Sequence, residues 1–267
     1  QGMKAHSLVD KTTRSVDILF VRPGGGIGRR AGFRYLWGQP RGSSSLLLGT
    51  IAGRSIRPKE DFSLDLELHK GDLPDGLDFG ASVAIDTETL GLNTLRDRLC
   101  VVQLSAGDGV CHIVHFPTPN YAAPNVSRLV NDQSVLKLFH FARFDVAALN
   151  HYLGTDCRPV YCTKIASRLT RTYTDRHGLR ELCRELLGVD LSKEQQSSDW
   201  GAPELTEAQL EYAANDVLYL HRLKDALDAR LEREGRTHIA QAAYEFLPVR
   251  AAMDIAGFED EDIFAHS

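Results

Sequence analysis

The run Val83-Ala84-Ile85-Asp86-Thr87-Glu88 places the tightest constraint on how this sequence folds. An apolar climb ends on two carboxylates spaced i, i+2, and Gly91 follows as a turn residue. Alternate side chains of a strand share a face, so Asp86 and Glu88 point the same way. Two like charges held that close raise each other's pKa unless a cation lies between them. Divalent cations take carboxylate oxygens, and the pair therefore reads as half of a metal site. Alone, the same residues also fit a strand that ends in a solvated polar turn. Further ligands elsewhere in the chain separate the two readings.

Charge narrows the partners. Residues 1–60 hold 11 Lys and Arg against 3 Asp and Glu, whereas the remainder holds 20 against 33. The body is thus acidic, unlike a protein that tracks a long phosphate backbone with a basic stripe. It suits a short substrate, a metal that supplies positive charge, or a local basic patch. The five cysteines (Cys100, Cys111, Cys157, Cys162 and Cys183) include no Cys-x-x-Cys pair and several lie in apolar runs. They read as buried free thiols in a reducing compartment. No apolar run is long enough for a membrane span, and the expected location is cytoplasmic.

Gln1-Gly2 ahead of Met3 reads as a cleavage remnant, and residues 1–60 as a basic, Gly/Ser/Arg-rich extension expected to be disordered. Its Arg-rich character also fits a targeting sequence. The folded domain is expected over 61–267. Strands are predicted at 64–68, 82–87, 99–105, 110–116 and 135–141, the first four forming a meander with a hairpin at Ala106-Gly107-Asp108-Gly109. Helices are predicted at 126–131, 144–153, 163–170 and 179–187. A loop over 190–205 leads to a long helix from Thr206 to about Glu234, opened by a capping box with Gln209. A last helix runs from Thr237 to about Ala256, kinked or broken at Pro248. Strands followed by helices give an α/β fold with one mixed sheet flanked by helices.

The missing ligands are present. Asp145 follows the strand Leu136-Lys137-Leu138-Phe139-His140-Phe141, near a helix start. Tyr212 and Asp216 lie on the long helix at i, i+4 and share a face. Four carboxylates from three elements can hold two divalent ions, and such a pair can clamp the attacking and leaving oxygens of a phosphodiester. A tyrosine hydroxyl beside them can orient or deprotonate the attacking water.

Asp86-Thr87-Glu88-Thr89, His140-Phe141-Ala142-Arg143-Phe144-Asp145 and Tyr212-Ala213-Ala214-Asn215-Asp216 resemble, in order and spacing, the three motifs of the DEDDy 3′–5′ exonucleases of the ribonuclease D-like superfamily. The resemblance covers about residues 65–267. It implies a ribonuclease H-like fold and two Mg²⁺ or Mn²⁺ ions held by Asp86, Glu88, Asp145 and Asp216, with Tyr212 positioning the water. The stretches 163–179 and 193–200 and the ending Asp262-Ile263-Phe264-Ala265-His266-Ser267 resemble the shorter nanoRNase C branch. That likeness implies hydrolysis of very short RNA, dinucleotides especially, to 5′-mononucleotides, and an octameric ring. Phe141 departs from the Asn usual in ribonuclease D relatives, and residues 1–60 have no counterpart in the family pattern. After Asp216 the sequence holds 51 residues, and helical RNA-binding domains like those of full-length ribonuclease D are not expected in it.

Further substrate contacts are expected at Thr89, Leu90 and Leu92, where such enzymes meet the 3′-terminal nucleotide, although both leucines also fit plain packing beneath the turn. His140 is placed to hydrogen-bond substrate, and Arg143 to meet a phosphate or to balance the acidic ligands. Lys193, Gln196, Ser197 and Ser198 form a polar loop suited to a 5′ phosphate. The basic run Lys164, Arg168, Arg171 and Arg176 fits a phosphate path, a subunit contact or a solvated face. The leading expectation is a metal-dependent exoribonuclease acting on short RNA. The alternatives are an exonuclease acting on DNA or on longer structured RNA, and an inactive nucleic-acid-binding scaffold.

Overall fold

The computed structural model describes residues 65–191 and 198–266. The extension expected over 1–60, and Lys193, Gln196 and Ser197, lie outside the described residues. The described residues belong to one compact unit.

Among the described residues, six strands make a single mixed sheet: β1 (Asp65–Lys70), β2 (Ser82–Thr89), β3 (Leu99–Ser105), β4 (Val110–His115), β5 (Leu136–Phe139) and β6 (Val160–Cys162). Their spatial order is β1-β4-β3-β2-β5-β6. The chain β2-β3-β4 is antiparallel, and the expected hairpin joins β3 to β4. The meander does not extend to β1, which pairs parallel with β4, Leu66 opposite Cys111. The connection over 71–81 carries the chain across the sheet, a non-local choice that strand periodicity does not encode. Every residue of β3 is buried, as expected for a central strand covered on both faces. β6 has only three residues, too few for alternation to reveal.

The helices are α1 (Pro124–Asn131), α2 (Ala142–Leu153), α3 (Thr163–Thr170), α4 (Leu179–Leu182), α5 (Glu207–Leu218), α6 (Leu220–Arg233) and α7 (Thr237–Ile255). α4 widens into a π turn over Cys183–Leu187 and stops at Gly188, whose φ of 70° suits a residue without Cβ. The capping box at the start of α5 forms as expected: Thr206 Oγ1 accepts the Gln209 N–H and the Gln209 carboxamide accepts the Thr206 N–H at 3.0 Å.

One helix expectation is corrected and another is narrowed. The long helix breaks at Tyr219, where ψ is −5°. The break lets α5 lie across β2, β3 and β4 while α6 turns to pack on α3. α7 continues through Pro248 without breaking. Proline forfeits one helical hydrogen bond, and the packing of α7 against α2 with Pro248 itself buried offsets that loss. All five cysteines are buried free thiols. No described helix is long and apolar enough to cross a membrane.

Candidate active site

Three elements meet at the end of β2. Asp86 and Glu88 leave one face of the strand. The Asp86 backbone lies opposite Gln103 of β3, and α5 crosses that region to deliver Asp216 and Tyr212. Asp86, Glu88 and Asp216 each offer a carboxylate oxygen, all within 4.8 Å of one another. Asp145, in the first turn of α2, does not join this trio at that separation. Its Oδ1 accepts two hydrogen bonds from Thr87, from the backbone N–H at 3.1 Å and from the hydroxyl at 2.7 Å.

The electrostatics follow from burial and mutual repulsion. Burial first, then Asp145, Asp216 and Glu88, push Asp86 well above the usual carboxylate range, with the Thr87 N–H pulling the other way. Burial, Asp216 and Asp145 push Glu88 up to about 9. Burial and Asp145 raise Asp216 to about 7. Burial raises Asp145 to about 7 against the two Thr87 bonds. Burial, and then Asp216, Glu88 and Asp86, raise the Tyr212 phenol, which keeps its proton. Converging carboxylates that resist ionising together are what a bound cation relieves, and an all-oxygen donor set suits a hard divalent ion such as Mg²⁺ or Mn²⁺. The residues present therefore fit the metal that the motifs imply.

Sequence reasoning missed Thr87 and Gln103. Alternation turns Thr87 away from Asp86 and Glu88, and that same orientation presents it to Asp145. Gln103 is fully buried, shares the face of Asp86, and neither amide atom meets a partner among the described residues. A lone amide in the apolar run Leu99 to Leu104 was the available signal.

The remaining candidates fall into groups. Leu90 and Leu92 are 52% and 88% exposed beyond the carboxylates. Thr89 Oγ1 donates to the Gly91 carbonyl at 2.5 Å. Gly91 is needed for space rather than for a left-handed turn: a Cβ there would lie 2.3 Å from Asp97 Oδ2. His140 Nδ1 pairs with Thr163 Oγ1 at 2.9 Å. Burial and the nearby Lys164 push that imidazole down to about 3, so the ring is neutral. Arg143 is held bidentately by Asp254 of α7, at 2.5 and 2.8 Å, and also donates to the Glu259 carbonyl. Arg250 shares the Asp254 carboxylate, at 3.0 Å, so one carboxylate serves two guanidiniums. The Ser198 carbonyl accepts the Trp200 N–H at 3.1 Å, and the Trp200 ring lies 6.1 Å from that of Tyr212. Phe141 caps α2 with φ 70° and is 44% exposed, with Lys164 Nζ 4.1 Å above its ring. Asn adopts that left-handed backbone more readily than Phe, so the departure from the usual motif carries local strain.

Of the basic run, Arg171 is not on the surface. Its side chain is 1% exposed and pairs with Glu185 of the π turn. It also donates to Ser167 Oγ at 3.0 Å and the Arg176 carbonyl at 2.7 Å.

Comparisons with known proteins agree with this geometry. The 3′-5′ exonuclease family profile matches residues 76–232. The structure of NrnC from Brucella melitensis is 58% identical with a TM-score of 0.75, covering 77% of this chain and 100% of that one. The same protein bound to pGG is 57% identical at TM-score 0.75, again over 77% and 100% of the two chains. Its structure with bound Mg²⁺ is 56% identical at TM-score 0.73, over 76% and 100%. Ribonuclease D of Granulibacter bethesdensis is 34% identical over 154 residues, 58% of this chain and 38% of the relative. The chain thus spans about two fifths of the length of the curated relatives it matches first. With its mixed sheet, its acidic cluster and these relatives, the chain belongs to the 3′–5′ exonuclease family, a family of divalent-metal enzymes that includes ribonuclease D and NrnC.

Proposed function

We propose that the chain is a metal-dependent 3′–5′ exoribonuclease that hydrolyses short oligoribonucleotides, dinucleotides especially, to 5′-mononucleotides. The observation that carries this reading is the convergence of Asp86, Glu88 and Asp216 beneath Tyr212, in a chain 57% identical to an NrnC whose structure holds pGG. Two divalent ions, Mg²⁺ or Mn²⁺, held by these carboxylates with Asp145 completing the set, would supply positive charge at the attacking and departing oxygens. Tyr212, protonated in its acidic surroundings, orients the attacking water by a hydrogen bond. Thr87 fixes the Asp145 carboxylate. The exposed Leu90 and Leu92, with Thr89, meet the 3′-terminal nucleotide. His140, neutral and oriented by Thr163, presents its remaining ring nitrogen to substrate. Arg143 contributes through its positive charge at the rim. Lys193, Gln196, Ser197 and Ser198 bind the 5′ phosphate by charge-assisted bonds, which favours a dinucleotide. An octameric ring in the cytoplasm belongs to the same reading.

A length series of 5′-labelled RNA and DNA, from dimers upward, tests it. Turnover should be fastest on diribonucleotides and fall with length. Equal rates on long duplex DNA and on diribonucleotides would overturn the short-substrate reading in favour of a general exonuclease. Binding without turnover at any length would mark an inactive scaffold.

A further inference from the structure

β1 and β4 bring a second donor cluster together. Glu67 and His69 stand at i, i+2 on β1, and Glu67 is the register partner of His112 on β4. All three side chains therefore share one face at the sheet edge. His69 Nε2 lies 3.1 Å from His112 Nδ1. Glu67 Oε2 lies 3.3 Å from His112 Nδ1 and 3.8 Å from His69 Nε2. The histidine side chains are only 16% and 12% exposed, and the Phe79 ring closes edge-on against His112 at 5.4 Å.

We propose that Glu67, His69 and His112 form a second metal site, separate from the carboxylate cluster, for Zn²⁺ or a chemically similar late first-row divalent ion. The donors are right in kind, since two imidazoles and one carboxylate are a recurrent zinc set. They are also right in spacing. Tetrahedral coordination with bonds of about 2.0–2.1 Å needs donor atoms about 3.3 Å apart, and the three separations of 3.1, 3.3 and 3.8 Å straddle that value.

Hydrogen bonding alone serves the trio poorly. If His69 Nε2–H donates to His112 Nδ1, the Glu67 oxygen faces a lone pair. If His112 Nδ1–H donates to Glu67, the nitrogen of His69 faces an N–H already committed to the carboxylate. A cation satisfies all three lone pairs at once, and the fourth position is left to water. The imidazoles keep their remaining proton on the other ring nitrogen, so binding needs only neutral tautomers.

The site is independent of the catalytic centre. Asp86 faces Gln103, Gln103 faces Ile113, and Ile113 alternates with His112 along β4. The register thus puts the trio on the opposite face of the sheet from Asp86 and Glu88. Bound there, an ion would tie the edge strand β1 to β4.

The test is Zn²⁺ binding to the full chain in excess Mg²⁺, read as metal content after dialysis and as the zinc-induced shift in Tm. The wild type should retain one equivalent of zinc. Asp216→Asn should retain the same equivalent. His112→Val, which keeps strand propensity, should lose it with at least a hundredfold weaker affinity, and Glu67→Gln should weaken it about tenfold. Mg²⁺-driven RNA hydrolysis should be unchanged in both. Should His112→Val fail to fold, Glu67→Gln carries the test, because its side chain is 54% exposed. Equal zinc affinity in the wild type and these two variants would overturn the proposal. So would zinc lost in Asp216→Asn but kept in His112→Val, which would assign the ion to the carboxylates and leave the histidines sharing a proton.

Discussion

Thr87 and Asp145 are joined twice: one carboxylate oxygen of Asp145 accepts both the backbone N–H of Thr87, at 3.1 Å, and its hydroxyl, at 2.7 Å. The pair stitches α2 to β2 between the two acidic residues of the first motif. Hydrogen bonds to charged groups contribute about 1.5–3 kcal/mol. Thr87→Val keeps the shape and the backbone bond but removes the hydroxyl bond. Turnover at limiting Mg²⁺ should drop roughly tenfold and recover partly at high Mg²⁺. A Mg²⁺ titration of the initial rate checks this; an unchanged titration curve would remove Thr87 from the site.

Activity and stability should part company at Asp216. Its carboxylate sits within 4.8 Å of two others, and like charges at that range repel. Asp216→Asn should cut turnover at least a hundredfold, and in EDTA it should raise Tm. Tyr212→Phe should cut turnover strongly with little change in substrate affinity, because it removes a hydroxyl and almost no volume. Single-turnover rates and scanning calorimetry on the two variants test both statements.

The same repulsion fixes a pH dependence. Glu88, raised by burial, Asp216 and Asp145, holds its proton up to about 9 when folded, against 4.5 for a free glutamate side chain. Between those values the folded protein binds a proton that the unfolded chain has released. Stability then falls as pH rises. In EDTA, Tm should decline from pH 5 to pH 9, with each kcal/mol worth about 2–4 °C in a chain of this size. Added Mg²⁺ should raise Tm, and more so at higher pH, since deprotonated oxygens bind it. A Tm that is flat with pH in EDTA would contradict the coupling.

Arg171 should matter for folding and not for substrate. Its guanidinium is buried against Glu185, Ser167 and the Arg176 carbonyl. Removing one partner of a buried pair costs about 3–5 kcal/mol, with the lower end appropriate here because Glu185 is 37% exposed. Arg171→Met should therefore lower the urea midpoint markedly, whereas KM for RNA measured well below Tm should stay unchanged. Arg171 also holds Glu185 down to about 2, first through its hydrogen bond. A lowered carboxylate stabilises above its unfolded pKa, and that contribution fades as pH falls towards 2.

Much of the fold and the site was legible in the order of residues. Strict alternation placed Asp86 and Glu88 on one face, i, i+4 spacing placed Tyr212 beside Asp216, and the Thr206–Gln209 box marked the start of α5. These are local regularities, set by backbone geometry within a few residues. Tertiary structure decided the rest. The Thr87–Asp145 bonds span 58 residues, β1 chose β4 as a parallel partner, and the helix expected to run unbroken turned at Tyr219 to serve two surfaces. Arg171, polar in every local sense, was drawn inside by Glu185. Glu67, His69 and His112 became neighbours only through strand register. Each of these depends on which distant surfaces meet, and a chain's periodicity carries no record of that.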